Sequence, residues 1–542
     1  MPAAPAPAAP VPAVAEEGEA AIAEKYASVA NLLGPATGPV TCNLAGGGCG
    51  QQYTNGVILW SPGTGAHWMK GAILVKWREY GSENGRFGYP VTDEVCGLVR
   101  DGCYQLFESG AAIVWSASTG AHNSWGGIRA KWREYGSENG RLGYPTSDEV
   151  CGLVRDGCYQ LFEAGAAIVW SASTGAHNSW GGIRTKWREY GSENGRLGYP
   201  TSDEVCGLVR DGCYQMFEAG AIVWSAGTGA HTSWGGIRAK WRECRSENGR
   251  LGYPVTDEIC GLVRDGCYQL FETGAAIVWS AGSGAHPSWG AIRQKWASTG
   301  SENGRYGYPT SDESCRTGAG GELCVQHFEA GTIKWRSDSG IIDCSVQRCV
   351  ALTFDDGPGP YTSRLLDILD ANNVQATFFV VGNRVGGNSS LVARMHREGN
   401  LVENHSWSHP DLTTQGSGNI AWQLDDTSNA IANATGARPT MLRPPYGAYN
   451  STVTSMAGQR GMSVILWNVD TQDWLYRNAA SVRNAAVVST SPGSIVLMHD
   501  IHPTTVDAVQ GIIYDLKGRD YVLVTVDDLL GDPRPGVVYT RR

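Results

Sequence analysis

The chain has 542 residues, enough for two to four domains with a full hydrophobic core in each. Charged residues make up 18% and the formal net charge is −10, which argues against nucleic acid or an anionic membrane as the main partner. No apolar run approaches the roughly 18 residues that a membrane-spanning helix needs, so no transmembrane segment is expected. Residues 1–20 are rich in Ala, Pro and Glu and lack the apolar core of a signal peptide; they read as a disordered linker.

From about residue 21 to 338 the sequence repeats. Gly-Tyr-Pro recurs at Pro90, Pro145, Pro200, Pro254 and Pro309, every 54 or 55 residues, and a weaker copy leads with Leu33-Gly34-Pro35 in the same slot. The units carry Ile-x-x-Lys-Trp, Ser-Glu-Asn-Gly-Arg, Asp-Glu, Gln-x-Phe-Glu and Ala-Ile-Val-Trp, which predicts one short helix and two to four short strands punctuated by glycine. Six such β-rich units with recurring aromatics predict closure into a propeller-like ring, with an open solenoid as the alternative. His67, His122, His177, His231 and His286 share one repeat position. Identical positions in a ring lie far apart, so each is read as a local hydrogen-bonding residue rather than part of one metal site. Tryptophans after Ile-Val and after Lys are read as core. Those in Ser-Trp-Gly (Trp125, Trp180, Trp234, Trp289) are candidates for stacking on a sugar. The units resemble the LGFP repeat of actinobacterial cell-wall proteins, with Tyr in place of the Phe in five copies. The resemblance implies attachment to cell-wall glycan.

Fourteen of the fifteen cysteines fall into local pairs. Cys42/Cys49, Cys96/Cys103, Cys151/Cys158, Cys206/Cys213 and Cys260/Cys267 share one spacing; Cys315/Cys324 is longer and Cys344/Cys349 shorter. Most bracket Gly-Leu-Val-Arg-Asp-Gly, whose Asp-Gly is a hairpin signal that sets the sulfurs opposite one another. Zinc ligand pairs usually stand closer, about two to four residues apart, so disulfides are expected. Each closes a short loop, contributing roughly 2.5 kcal/mol in the chain-entropy model. Such pairing implies secretion into an oxidising compartment. Cys244 stands where Tyr80, Tyr135 and Tyr190 stand in other units, and is read as a drifted structural position.

After about Cys344 the pattern changes to apolar runs alternating with helical ones: strand 350–354, helix 361–372, strand 376–381, helix 388–398, then strands near 401–404, 441–443, 463–469, 494–498 and 522–526. That alternation predicts an α/β barrel over 344–532, followed by a tail at 533–542. The first run ends in adjacent carboxylates, Asp355 and Asp356, and a Gly-Pro turn. His405 and His409, four apart, can share one side of a helical turn. One carboxylate with two imidazoles is a ligand set for a catalytic divalent metal with an open position. The second carboxylate is then free to act as a base.

Five motifs in order make a resemblance specific: Thr353-Phe354-Asp355-Asp356-Gly357-Pro358, His405-Ser406-Trp407-Ser408-His409, Arg443-Pro444-Pro445-Tyr446-Gly447, Asp470-Thr471-Gln472-Asp473-Trp474 and Leu497-Met498-His499. The domain resembles the polysaccharide deacetylases, the NodB-homology domain of carbohydrate esterase family four, whose fold is a distorted (β/α) barrel. The resemblance implies that Asp356, His405 and His409 hold one divalent metal, zinc before cobalt or another ion. It implies Asp355 as base, Arg443 as the arginine holding that base, and the Tyr446 main-chain N–H as oxyanion donor. It makes His499 the acid, oriented by Asp473, with His502 as a rival outside the motif. Trp474, Leu497 and Pro445 are expected against substrate, and Tyr449, Asn450 and Trp407 are further sugar-contact candidates. The expected activity is removal of N-acetyl groups from N-acetylglucosamine in peptidoglycan or chitin-type glycans by a secreted, wall-associated monomer. Acetylxylan esterase and a binding scaffold with a vestigial deacetylase are the alternatives.

Overall fold

The computed structural model of the protein describes residues 11–318, 321–531 and 533–542. They form two compact units: one runs to Cys260 and takes in Tyr268–Thr273, the other holds Gly261–Cys267 and continues from Gly274 to Arg542. The first half of the expected linker, residues 1–10, lies outside the described residues. Its second half is not a linker, because Val11–Leu33 is a single helix. Ala and Glu are strong helix formers, and Ile22, Val29 and Leu33 are buried at helical spacing. Gly18 lets this helix sit close on the first sheet; a Cβ there would meet Cys49 Sγ at 2.6 Å.

Each repeat folds into a four-stranded antiparallel sheet whose strands pair in chain order. In the second, Val95–Cys96, Cys103–Leu106, Ala112–Ser116 and Gly120–Ser124 precede the helix Gly126–Glu134. Ile128 and Trp132 are the buried face of that helix, and the Trp132 indole donates to Gly143 O at 2.9 Å. Cys96 lies directly opposite Cys103, and the two are bonded. Cys42–Cys49, Cys151–Cys158, Cys206–Cys213, Cys315–Cys324 and Cys344–Cys349 are disulfides as expected, and Cys260 and Cys267 are disulfide-bonded as well. The hairpin turn sits one residue earlier than Asp-Gly suggests: Arg100 and Asp101 take the left-handed φ values of 56° and 57°.

Gly102 is needed for another reason. The hydroxyl of Tyr144, from the next Gly-Tyr-Pro, donates to Val99 O at 2.6 Å, and a Cβ on Gly102 would meet that oxygen at 2.1 Å. Tyr199 and Tyr253 repeat the bond to Val154 O and Val209 O. Lys76 pairs with Asp148 at 3.1 Å, and Arg100 pairs with Glu163. These contacts describe separate small sheets linked in series, a nearest-neighbour arrangement. They do not establish the propeller-like ring expected from the sequence.

The repeat histidines are structural, as expected: His122 Nε2 donates to Thr119 O at 2.8 Å and its Nδ1 lies 3.3 Å from Asp148. The Ser-Trp-Gly tryptophans are not open platforms. Arg86 stacks over Trp125 at 3.6 Å, Arg141 over Trp180 at 3.9 Å and Arg196 over Trp234 at 4.2 Å.

The second compact unit contains a nine-stranded sheet. Its path runs Val469–Asp470, Ser494–His499, Arg348–Asp355, Thr377–Val380, Leu401–Asn404, Met441–Leu442, Ser463–Ile465 and Val538–Tyr539, while Tyr521–Val524 also pairs with Arg348–Asp355. The pairings are parallel and the sheet curls into a half barrel rather than closing. Two expectations change here. The run 463–469 is two strands, broken at Leu466–Asn468, and the presumed tail carries the edge strand Val538–Tyr539. The segment Cys349–Phe354, apolar but for Thr353, is buried on both faces, which suits a central parallel strand. The last repeat, with strands from Ser314 to Ile341, is bonded to the strand Tyr521–Val524 and to segments beside it, and Lys334 pairs with Asp528 at 2.9 Å. Arg336, 1% exposed, donates to Asn373 O and Leu523 O at 3.0 Å each, and Arg316 pairs with Asp370 at 2.6 Å. The C-terminal ends of the strands Arg348–Asp355 and Ser494–His499 carry Asp355 and His499, where such folds place their chemistry.

Candidate active site

Asp355 is the last residue of the central strand and is buried. Asp356 follows with φ 71°, a left-handed turn that sends the two adjacent carboxylates to different partners. Asp355 Oδ1 accepts from Arg443 Nη1 at 2.8 Å, while its Oδ2 lies 3.8 Å from His405 Nε2. Asp356 Oδ1 stands 3.5 Å from His405 Nε2 and 3.3 Å from His409 Nε2. Burial raises the Asp356 carboxyl, but the hydrogen bond and charge of His405, with His409 and His499, outweigh it and hold the group well below the usual carboxylate range.

The two histidines do not sit on a helix. They lie in an irregular loop after Leu401–Asn404, and Ser406 and His409 take φ values of 65° and 61°. The loop, not a 3.6-residue period, brings the rings to 4.9 Å. His405 Nδ1 donates to Arg443 O at 2.6 Å, so Nε2 is the nitrogen turned to Asp356. Gln423 accepts from the backbone N–H of Trp407 and Ser408 at 2.7 and 2.9 Å and braces the loop. Sequence reasoning missed Gln423, because its partner is a backbone sixteen residues away with no motif to announce it.

Arg443 is completely buried and fully engaged. Besides Asp355 it donates to Thr353 Oγ1 at 2.7 Å, Ile465 O at 3.2 Å and Leu466 O at 3.0 Å, and it lies 4.1 Å from the Phe379 ring centre. Across the cavity, His499 ends the strand Ser494–His499. Its Nδ1 lies 2.8 Å from Asp473 Oδ1, while Asp473 Oδ2 accepts from the His499 backbone N–H at 2.8 Å and from Thr505 at 2.6 Å. Burial opposes charge on His499, but Asp473 first, then Asp355 and Asp356, push it up to about 9. Stability from this pairing is therefore fully present below about pH 6.5 and is lost as pH rises through about 9.

A cavity of about 460 Å³ joins these groups. It is lined by Asp355, Asp356, His405, His409 and His499, with Tyr446, Trp467, Trp474 and Leu497 as apolar walls. Pro444 lines it rather than the expected Pro445, which is buried beneath. Asn450 does not line the cavity; its side chain caps the helix Ser451–Gly458 by accepting from Val453 N at 3.0 Å. Trp407 and Tyr449 do not line the cavity, and His502 is engaged by Arg477. Trp467 was hidden in a run read as core strand. Asp500 was missed too; it is fully buried behind the Gly357 turn, bonded to Thr362, and burial pushes its carboxyl up to about 7.

The family model described as polysaccharide deacetylase matches residues 343–465, and that described as LGFP repeat matches 33–85, 87–140, 142–195, 197–249, 251–304 and 307–345. Over 199 residues the chain is 40% identical to a chitin deacetylase of Pestalotiopsis sp, covering 35% of this chain and 67% of that one. The chain belongs to the polysaccharide deacetylase family. It is also 46% identical over 184 residues to the peptidoglycan-N-acetylglucosamine deacetylase PgdA of Listeria monocytogenes, covering 34% of this chain and 39% of the relative, so it spans about two-fifths of that protein's length. A solved structure described as T48 deacetylase with substrate aligns at 40% identity and a TM-score of 0.36, covering 36% of this chain and 99% of that one.

The alkaline limb of a pH–rate profile tests whether His499 is the acid. If His499 delivers a proton, the rate falls as pH rises toward about 9, and Asp473→Asn moves that limb downward by removing the strongest support for the charge. A pH–rate profile whose alkaline limb is unmoved by Asp473→Asn would remove His499 from the acid role.

Proposed function

We propose that the C-terminal domain is a metal-dependent deacetylase that hydrolyses N-acetyl groups of N-acetylglucosamine units in a β-1,4 glycan, peptidoglycan before chitin. The observation that carries this reading is the division of the Asp355–Asp356 pair: one carboxylate bonds Arg443, the other faces two histidines, and His499–Asp473 stands across the same cavity. The residues fit a divalent metal. Ligand atoms about 2.0–2.1 Å from a tetrahedral ion stand about 3.4 Å apart, close to the 3.3 and 3.5 Å between Asp356 Oδ1 and the two Nε2 atoms. When bound by Asp356, His405 and His409, the metal would polarise the acetyl carbonyl and acidify water.

The chain's own residues supply the rest. Asp355, held through Oδ1 by Arg443, takes the proton of the attacking water on its free oxygen. The Tyr446 main-chain N–H stabilises the oxyanion of the tetrahedral intermediate. His499, fixed through Nδ1 by Asp473, turns Nε2 to the leaving nitrogen and protonates it, so acetate and a free amine result. Trp474 and Leu497 restrict the pocket to a small acyl group. The LGFP repeats hold this domain at the cell envelope, and the disulfides suit an oxidising exterior.

The names of the relatives, a peptidoglycan and a chitin deacetylase, support the N-acetyl reading. Acetate release from peptidoglycan fragments, chitooligosaccharides and acetylxylan tests it. Release is expected from the first two, to fall at least about 100-fold after chelation, and to return with zinc or cobalt. Turnover confined to acetylxylan, or indifferent to chelation, overturns the proposal.

A further inference from the structure

Of the points at which the fourth repeat departs from the second and third, three surround one side of its helix. It has Cys244-Arg245 where the second and third have Tyr135-Gly136 and Tyr190-Gly191, and Met216 where they have Leu106 and Leu161. Its turn after Phe217 is one alanine shorter than the turn after Phe162. The short turn matters to an arginine. Arg129 and Arg184, in the second and third repeats, donate to Gly110 O at 3.4 Å and Gly165 O at 3.3 Å. The equivalent Arg238 has no such carbonyl; its Nη2 meets the Met216 sulfur at 2.8 Å and its Nε is buried without a partner. A thioether is a weak acceptor and neutralises no charge.

Two more cations join it. Arg242 follows one turn along the helix Gly235–Glu243, and burial with the charge of Arg242 pulls the Arg238 guanidinium's pKa down. Arg245 occupies a left-handed position, φ 67°, that is glycine at Gly136 and Gly191. Arg238, Arg242 and Arg245 all line one cavity of about 460 Å³ with Tyr214 and Trp241. Its one acid, Glu247, accepts from Asn248 at 2.7 Å. Among the described residues no carboxylate pairs with Arg238, Arg242 or Arg245.

We propose that this cavity binds an oxyanion, phosphate or carboxylate, carried by an anionic polymer. Guanidinium forks bind either group through paired, charge-assisted hydrogen bonds, and an anion in the cavity relieves the repulsion between Arg238 and Arg242. The proposal stands apart from the deacetylase reading, since no residue of that site takes part.

Titration calorimetry of the full chain with inorganic phosphate and with glucuronate, at low ionic strength, tests it. At least one anion is expected to bind, and Arg245→Gly, which restores the residue of the other repeats, and Arg238→Gln are each expected to weaken it at least tenfold. Arg133→Gln in the second repeat is expected to change nothing, and acetate release is expected to be unaltered throughout. If Arg238→Gln fails to fold, Arg245→Gly decides. Preference for phosphate points to a phosphate-bearing polymer and preference for glucuronate to a uronate-bearing one. Heat from neither anion, or equal affinity in wild type and Arg245→Gly, overturns the site.

Discussion

Replacing Asp355 with asparagine is expected to lower kcat about 10²- to 10⁴-fold, with KM and bound metal little changed. The asparagine keeps the shape of the side chain but cannot take a proton from water. Metal content is spared because the candidate ligands are Asp356, His405 and His409, while Asp355 Oδ1 is committed to Arg443 at 2.8 Å. Asp356→Ala is the contrasting variant: it removes the atom that stands 3.5 and 3.3 Å from the two imidazoles, so metal and activity are lost together. Kinetics on a chitooligosaccharide with metal analysis of each variant separates the two roles. A rate for Asp355→Asn within tenfold of wild type means the proton goes elsewhere.

Arg443→Leu is expected to cost about 3–5 kcal/mol of stability, the scale for removing one partner of a buried ion pair. The guanidinium is wholly buried and serves Asp355, Thr353 and the carbonyls of Ile465 and Leu466. Leucine leaves the Asp355 carboxylate without its cation and two carbonyls without a donor. For a domain of this size the loss lowers the midpoint of its thermal transition by roughly 10 °C. Arg443→Lys retains the charge but not the fork, and falls between. Calorimetry measures both; a shift under about 2 °C for Arg443→Leu would show that the pair contributes nothing net to folding. The two predictions are linked, because Arg443, which holds the proposed base, also bonds Thr353 of the central strand.

Much of the architecture was legible in the chain. Apolar runs bounded by turns located most strands of the curled sheet, since parallel strands are apolar on both faces and period matters less than length there. Local cysteine spacing gave the disulfide partners because each pair closes its own hairpin. The failures have physical causes. Residues 11–20 read as linker because of their Ala and Pro content, yet they are the first half of the helix Val11–Leu33, whose buried Ile22, Val29 and Leu33 all lie in the second half. Val538–Tyr539 is too short to carry a periodic signal and gains its place only by pairing with Ser463–Ile465. Ring closure of the repeats was inferred from composition, and composition does not encode which surfaces meet.

By itself the sequence determined the chemistry to expect: which residue types stand at the ends of which strands, and that two carboxylates, three histidines and one arginine belong to one set. The motifs are local and the resemblance to the deacetylases rests on them. The resemblance already implied Asp356 for the metal and Asp355 for the proton; only the tertiary structure showed how the two carboxylates are set apart. It turned Asp355 and Asp356 apart through a left-handed residue, placed His405 and His409 by an irregular loop rather than a helix, and exchanged Pro445 for Pro444 at the cavity wall. It also exposed what one deleted alanine does in the fourth repeat, where Arg238 loses its carbonyl. Backbone dihedrals, buried hydrogen bonds and cavity walls depend on atoms brought together from distant parts of the chain, and no reading of neighbouring residues supplies them.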